Sequence, residues 1–392
     1  MRIIISNKFY YRRGGDCIYT INLEQLLKEH GHEVAIFAMQ HPNNLPTFWK
    51  KYFPSEVKFK LNTGVFETFI RPFGSNEVKK KFENLLHEFQ PDIIHLNNIH
   101  SQLSPILAQI AYKHKIKTLW TIHDCKLVCP RYDCERNGHR CEKCFNNLFN
   151  CIKYNCIKNN KLASILGYYE IKKWNPIRLE KYIDTFITPS QYMKNTLIRG
   201  HYHSDKIITI PNFIDLNKVS YPDYQKDNYF CYIGRLSKEK GVETLLKAVT
   251  ELDYSLKIIG GGPLEEYLKC KYENKNNIVF CGQLEWDAIK PLLEHARFTV
   301  LPSECAENNP LSVIESLCLG TPVLGANIGG IPELIDNGIN GMTFESRNIE
   351  DLKNKIEEMM QHSFDYNSIA TKAQDKYNAE EYYKKLMTIY NR

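Results

Sequence analysis

Short apolar runs and longer amphipathic runs alternate along almost the whole chain, in the rhythm of repeated β–α units. In the first half, strand-like runs fall at Ile3–Ser6, Val34–Ala38, Ile93–Leu96, Thr118–Ile122 and Thr185–Thr188. Between them, apolar residues recur at helical spacing over Ile18–His30, Val78–Phe89, Gln102–His114 and Leu162–Tyr182. The second half repeats the rhythm, with strands at Tyr229–Ile233, Leu256–Ile259, Ile278–Cys281, Phe298–Leu301 and Pro322–Gly325. Its helices are expected at Val242–Leu252, Leu264–Tyr272, Trp286–His295, Leu311–Leu319 and Ile349–Gln361. Short strands without polar alternation suit a parallel sheet covered on both faces by crossover helices. Two such series predict an α/β protein of two doubly wound, Rossmann-like domains.

The division is placed after Pro211-Asn212-Phe213, ahead of the polar stretch Asn217 to Asn228. This gives a first domain over 1–212 and a second over 213–375. The last helix, about Ala379–Tyr390, has its own apolar and aromatic face, so 376–392 is expected to return and complete the first domain. Ligands of such sheets bind at the carboxyl ends of the strands, so the chemistry is expected in the loops that follow strands.

Composition narrows the class. A chain of 392 residues with 43% hydrophobic and 24% charged residues is globular and long enough for two cores. No apolar stretch approaches the roughly 20 residues that span a bilayer. Met1 to Ser6 reads as a first strand followed by Lys8, Arg12 and Arg13, not as a signal peptide, so a cytoplasmic protein is expected. The net charge of +6 is uneven: residues 1–190 hold 28 Lys and Arg against 17 Asp and Glu, residues 191–392 hold 23 against 28. A basic first half suits either a lysine-rich solvated surface or an anionic partner at the inner face of a membrane. Within it, Phe48-Trp49-Lys50-Lys51-Tyr52-Phe53 is the candidate for peripheral contact with an anionic membrane, the alternative being a packed surface loop. The basic runs Lys113 to Lys117 and Arg131 to Arg140 are irregular and lack interleaved aromatics, so nucleic acid is not an expected partner.

The unusual residues sit where strands end. Gly14-Gly15-Asp16 lies between the first strand and the first helix, where two glycines and a helix N-terminus can admit a phosphate. Gly234-Arg235-Leu236-Ser237-Lys238-Glu239-Lys240-Gly241 follows a second-domain strand, and its Arg235 and Lys240 can neutralise a diphosphate leaving group. Gly260-Gly261-Gly262-Pro263 follows the next strand but lacks the glycine offset of a dinucleotide fingerprint. In Glu307-Asn308-Asn309-Pro310-Leu311-Ser312-Val313-Ile314-Glu315, Asn309 is expected as N-cap and Pro310 as first helical residue. Amides near Leu311 and Ser312 are then free for an anion, with Glu307 outside the helix and Glu315 two turns inside it. Asn98 and His100, also at a strand end, are further candidates for contact with a ligand.

Seven of the thirteen cysteines lie between Cys125 and Cys156. Cys141, Cys144, Cys151 and Cys156 can supply four thiolates to a structural zinc that orders a polar insertion over 125–160, with Cys129 or Cys134 as substitute ligands. Free thiols with no ligand role are the alternative.

Taken together, these segments resemble the retaining, GT-B-fold glycosyltransferases of family 4. The resemblance rests on Gly14-Gly15, Thr121-Ile122-His123-Asp124, Ile210-Pro211-Asn212-Phe213-Ile214-Asp215, Gly234-Arg235 with Lys240-Gly241, the Glu307 and Glu315 pair, Gly320-Thr321-Pro322-Val323 and Gly329-Gly330-Ile331-Pro332-Glu333. It covers nearly the whole chain and implies two facing domains with a cleft between them. It further implies a hexosyltransferase using a UDP- or GDP-sugar donor and a saccharide or lipid-linked saccharide acceptor, in cell-surface polysaccharide synthesis. By the resemblance, Gly15 sits against the donor phosphate, while Arg235 and Lys240 stabilise the departing diphosphate. His123 lines the sugar pocket, Glu307 lies by the sugar and Glu315 by the ribose. Gly14, Gly234, Gly260, Asn309, Pro310, Leu311 and Ser312 are donor-side positions; Asp16 and Asp124 join Asn98 and His100 on the acceptor side. The family uses no catalytic metal, and retention is thought to proceed by front-face attack. Asn308-Asn309-Pro310 departs from the more usual Gly-Phe-Gly, and Asp16 stands where a small residue is frequent. Two rival readings are a sugar-nucleotide epimerase on the same fold and a non-catalytic nucleic-acid-binding protein using the Cys cluster.

Overall fold

The computed structural model describes residues 1–57, 69–215 and 225–392. Of the polar stretch expected to separate the domains, residues 217–224 lie outside the described residues. The described chain divides into two compact units, Met1–Pro211 with Tyr383–Arg392, and Asn212–Tyr382. Asn212 therefore belongs to the second unit, and the returning segment is shorter than the expected 376–392, because residues through Tyr382 stay with the second unit.

The first unit is built on strands β1 (Arg2–Ser6), β2 (Glu33–Phe37), β3 (Ile93–Leu96), β4 (Lys117–Thr121), β7 (Thr185–Thr188) and β8 (Ile207–Thr209). They form one parallel sheet in the order β2-β1-β3-β4-β7-β8. A separate antiparallel hairpin, β5 (Glu135–Arg136) with β6 (His139–Arg140), lies in the cysteine-rich insertion. Ile3, Ile4 and Ile5 are fully buried, as continuous apolar strands in a two-sided sheet must be. The helix expected at Leu162–Tyr182 is two helices, Lys161–Lys173 and Pro176–Tyr182. The break follows from Asn175, whose side chain caps the second helix by accepting from the Arg178 amide at 3.0 Å, and from Pro176 at its first position. Ser104-Pro105 likewise splits the expected Gln102–His114 into a turn at His100–Leu103 and a helix at Ile106–Lys113.

The C-terminal helix, Ala379–Tyr390, completes the first unit from Tyr383 onward. The Tyr383 ring stacks on His30 with centroids 3.6 Å apart and its hydroxyl meets His32 Nε2 at 2.8 Å. Tyr390 Oη meets His95 Nδ1 at 2.6 Å, and Lys117 Nζ donates to the Ile389 carbonyl at 2.7 Å, satisfying an end-of-helix acceptor.

The second unit carries β9 (Tyr229–Ile233), β10 (Ser255–Ile259), β11 (Ile278–Gly282), β12 (Thr299–Leu301), β13 (Val323–Ala326) and β14 (Gly341–Phe344). All pair in parallel in the order β11-β10-β9-β12-β13-β14. The chain winds outward in one direction from β9 and in the other from β12, so the loops after these two neighbours diverge and leave an opening between them. Gly241 ends the loop after β9 with φ +67°, and a Cβ there would come 1.8 Å from the Pro302 carbonyl oxygen beyond β12. Only glycine allows both the left-handed turn and that approach.

Gly241→Ala is therefore expected to destabilise the second unit by roughly 2 kcal/mol or more, through backbone strain and a backbone clash. A urea titration with an unchanged midpoint would contradict this account.

Candidate functional site

Each sheet brings the sequence-predicted residues to the place where its strand order reverses. In the second unit, the loop after β9 carries Gly234, Arg235 and Lys240, and the segment after β12 carries Glu307, Asn309, Pro310, Leu311 and Ser312. Lys240 Nζ is hydrogen-bonded to Glu307 Oε1. Ser303 Oγ donates to the same oxygen at 2.9 Å. Burial pulls the Lys240 pKa down, but the charge and hydrogen bond of Glu307 outweigh it and the net shift is upward. Lys240 is therefore a fixed cation at neutral pH. The backbone of Glu307 is itself gripped: its carbonyl accepts from the Gly330 amide at 2.7 Å, and a Cβ on Gly329, at φ +65°, would meet that carbonyl oxygen at 2.3 Å.

Arg235 is exposed and makes no ion pair among the described residues; burial would raise its neighbour Glu239, but the Ser237 hydrogen bond, helped by the charge of Arg235, holds that carboxylate below the usual range. Tyr232 Oη donates to the Arg235 carbonyl at 2.9 Å and so fixes the turn. Gly234 and Gly260 meet each other: a Cβ on Gly260 would lie 2.1 Å from the Gly234 carbonyl oxygen, a packing reason for glycine at that position.

Asn309 is not the N-cap. The helix is Leu311–Cys318 with Pro310 at the cap position, φ −66° and ψ 123°. The Asn309 side chain instead accepts from the Asn212 amide at 2.8 Å, and its carbonyl accepts from Asn212 Nδ2 at 2.7 Å. A side chain committed to a neighbouring segment cannot cap its own helix. The Val313 and Ile314 amides bond to the Pro310 carbonyl, which leaves those of Leu311 and Ser312 without intrahelical acceptors. Glu315 lies half-buried one turn further in.

In the first unit, β1, β3 and β4 deliver a second cluster. The helix Gly15–Glu29 begins directly at Gly15, with Gly14 as N-cap, and nothing lies within 4 Å of a Cβ placed on Gly15. Asp16 Oδ2 accepts from Asn98 Nδ2 at 3.1 Å, and the Asn98 amide donates to Asn7 Oδ1 at 3.0 Å. His123 Nε2 meets Asn97 Oδ1 at 3.0 Å, and its ring packs edge-on against Tyr19 with centroids 4.9 Å apart. His100 Nε2 lies 3.3 Å from Asp124 Oδ1. Burial, with help from the charges of Lys8 and His100 and against those of Asp16 and Asp124, pushes His123 down to about 4. Burial works the other way on Asp124, but the charge and hydrogen bond of His100 win and hold its carboxyl well below the usual range. The cluster thus pairs a neutral imidazole with a fixed carboxylate. Asn97 Nδ2 and Asn98 Oδ1 are buried without a hydrogen-bond partner, a cost that a hydroxyl-rich ligand would remove.

Sequence reasoning passed over Asn7, Asn97, Ser303 and Tyr232. The first two had a legible signal, an asparagine directly after a short, mostly apolar strand; the other two act through contacts that no local pattern encodes.

All thirteen cysteines are free thiols. Among the described residues no three His, Cys, Asp or Glu side chains are grouped so as to hold a metal ion; burial, and then the charges of Cys129, Cys151, Cys156 and Cys141, push the Cys144 thiol up. Cys151 is fully buried and its thiol donates to the Ser164 carbonyl at 3.5 Å. Cys134 shares hydrogen bonds with the thiols of Cys125 and Cys129, and its bond holds Cys129 down to about 7. In the aromatic-basic stretch, Trp49 packs on Phe89 with centroids 5.0 Å apart and Lys51 pairs with Glu88 at 2.7 Å, while Phe48, Lys50 and Lys51 are exposed. The rings of Trp49 and Tyr52 pack against the core of the first unit. No helix of the described residues is long and apolar enough to cross a membrane.

Two parallel-sheet α/β domains whose strand-end loops carry these residues define a glycosyltransferase of the GT-B fold. Sucrose-phosphate synthase from Thermosynechococcus elongatus superposes with a TM-score of 0.71 at 17% identity, covering 99% of this chain and 98% of that one. Anabaena HepE, solved with UDP and glucose, superposes with a TM-score of 0.66 at 16% identity over 99% of both chains. The description Glycosyltransferase Family 4 matches residues 13–218 and Glycosyl transferases group 1 matches residues 213–376. The chain belongs to glycosyltransferase family 4. It is 26% identical over 357 residues to an uncharacterized 42.6 kDa protein in the cps region of Klebsiella pneumoniae, across 85% of this chain and 87% of that one. It is 23% identical over 360 residues to N-acetyl-alpha-D-glucosaminyl L-malate synthase of Bacillus anthracis, covering 88% and 84% of the two. An uncharacterized glycosyltransferase of Methanocaldococcus jannaschii is 29% identical over 180 residues, 45% of this chain, and the match spans half of that relative's length.

His95 tests the electrostatics of the first cluster. It is fully buried between Tyr390 Oη and Thr121 Oγ1, at 2.6 and 2.7 Å, and burial, aided by His123, pushes it from 6.5 down to about 3. His95 and His123 both bind protons more readily in the unfolded chain, so stability is lost as the pH falls below the ordinary histidine range. The melting temperature is expected to drop between about pH 7 and about pH 5, and His95→Gln to flatten that drop. An equal slope in the variant would place the proton uptake elsewhere.

Proposed function

We propose that this glycosyltransferase moves a hexose-type sugar from a UDP- or GDP-sugar to a saccharide or lipid-linked saccharide, with retention and without a divalent ion. The observation that carries the reading is the Lys240–Glu307 pair at the strand-order reversal of the second sheet, beside an exposed Arg235 and the free amides of Leu311 and Ser312. The bond from the sugar's C1 to the diphosphate oxygen breaks while the acceptor oxygen bonds to C1 from the same face, and the acceptor proton passes to the departing phosphate. Negative charge builds on the leaving diphosphate. Lys240, Arg235 and the helix-start amides are fixed positive groups that meet this charge without reorganising. Glu307, shared with Lys240 and Ser303, orients a sugar hydroxyl, and Glu315 takes the ribose hydroxyls. His123, neutral through burial, offers a hydrogen bond to the transferring sugar, and Asp16, Asn98, His100 and Asp124 form the acceptor side.

The relatives' printed names support this direction: HepE was solved with UDP and with UDP-glucose, and the Klebsiella relative lies in the cps region. Synthesis of a cell-surface polysaccharide at the cytoplasmic face of the membrane is the setting proposed.

Uridine or guanosine diphosphate at about 100 times its dissociation constant should stabilise the folded form by about 2.7 kcal/mol, read as a rise in melting temperature. Lys240→Ala and Glu307→Gln should each lower turnover by about 10²–10³-fold with the fold retained. Near-normal rates in both would remove these residues from the centre. Conversion of the donor sugar with no acceptor present would identify an epimerase instead.

A further inference from the structure

The helix Lys161–Lys173 packs with its sides reversed. The side chains that it buries are Ser164, Gly167 and Glu170. A Cβ on Gly167 would come 2.4 Å from Ile157 Cδ1, so the body of the unit presses closely against this polar and small stripe. Glu170 is held inside by Lys126 Nζ at 3.0 Å and Ser101 Oγ at 2.8 Å. The outward side is the apolar one. Leu162 and Tyr169, two turns apart on one face, are 63% and 53% exposed, with Ile165 and Leu166 half-buried between them. Phe149 extends this surface: it is 56% exposed, and its ring lies 6.5 Å from that of Tyr168, beside Tyr169. A surface helix ordinarily turns such residues inward, and a contiguous apolar face left outside marks an interaction site.

The charges around it are of one sign. Residues 143–182 hold eight Lys and Arg and only two carboxylates, Glu170 and Glu180. Both carboxylates are used within the fold, Glu170 as described and Glu180 by His203 Nδ1 at 2.7 Å with its side chain 10% exposed. Exposed Lys161 and Lys172 stand at the two ends of the same helix. A rim of uncompensated cations around an apolar face matches a bilayer bearing anionic headgroups, where apolar side chains enter the acyl boundary and ammonium groups meet the phosphates. We propose that the outward face of the helix Lys161–Lys173 docks this protein on an anionic lipid surface, lying in the interface without crossing it. This is a different surface from the packed stretch at residues 48–53, and the proposal stands whichever donor and acceptor are used.

Co-sedimentation of the full chain with vesicles of phosphatidylcholine alone, and with about one-third phosphatidylglycerol, tests it. Binding is expected only to the anionic vesicles, weakening as salt is raised. Leu162→Ser with Tyr169→Ser should lower the bound-to-free ratio by about tenfold or more, with the melting temperature unchanged because both side chains are exposed. Lys161→Glu with Lys172→Glu should do the same by reversing the rim charge. The proposal is overturned by absent binding to anionic vesicles, or by equal binding of both double variants. A lipid-independent dimer in sedimentation velocity that Leu162→Ser abolishes would also overturn it, by making a second copy the occupant.

Discussion

The pairing of Lys240 with Glu307 depends on a constraint older than either residue: parallel strands place all their carboxyl ends along one edge. Where the winding direction reverses, two adjacent loops part and leave room for a ligand. In the second sheet these are the loops after β9 and β12. Close backbone approach then makes the opening stiff, through Gly241 against Pro302 and Gly329 against Glu307. Burial opposes the charge on Lys240, and the carboxylate of Glu307 more than offsets it. Such a pair is costly to break by halves, because removing one partner leaves the other a poorly solvated charge. The pair is also a preorganised arrangement of opposite charges, held in place by Ser303 and the backbone of Glu307.

The first unit solves the opposite problem. Its strand ends gather His95, His100, His123, Asp16 and Asp124; burial keeps His95 and His123 neutral, while against burial the charge and hydrogen bond of His100 hold Asp124 as a carboxylate. His95 is tied through Tyr390 to the C-terminal helix, so the last turns of the chain help set the electrostatics behind β4. A basic half of the sequence therefore does not translate into a basic site. Much of its positive charge lies instead in the cysteine-rich insertion and the helix that follows, around an apolar surface that the core does not use.

The sequence by itself determined the two-sheet architecture. Uninterrupted apolar runs such as Ile3–Ser6 and Tyr229–Ile233 can be satisfied only by burial on both faces, and the helical periods between them supply the crossovers. It also located most of the strand-end loops, since Gly, Arg and Lys directly after a buried strand are local features. Breaks at Asn175-Pro176 and Ser104-Pro105 were legible in principle, because capping and proline geometry act within a few residues. The short strands Ile207–Thr209 and Gly341–Phe344 were not, being three- and four-residue edges defined only by their neighbours.

Tertiary structure alone decided which side chains meet. Asn309 is a residue type suited to an N-cap, yet the backbone amide of Asn212, far away in sequence, donates to its side-chain oxygen. Cysteine spacing that suits zinc describes which ligands a chain offers, whereas the placement of each thiol depends on packing, as where the buried Cys151 thiol meets the Ser164 carbonyl. The sequence of the helix Lys161–Lys173 does not mark which side turns inward; the structure buries the stripe of Ser164, Gly167 and Glu170, with Ile157 close against Gly167. Periodicity fixes the existence of an element because it reflects local backbone geometry. Orientation and partnership are settled by contacts between residues a hundred positions apart, and one-dimensional patterns carry no record of those.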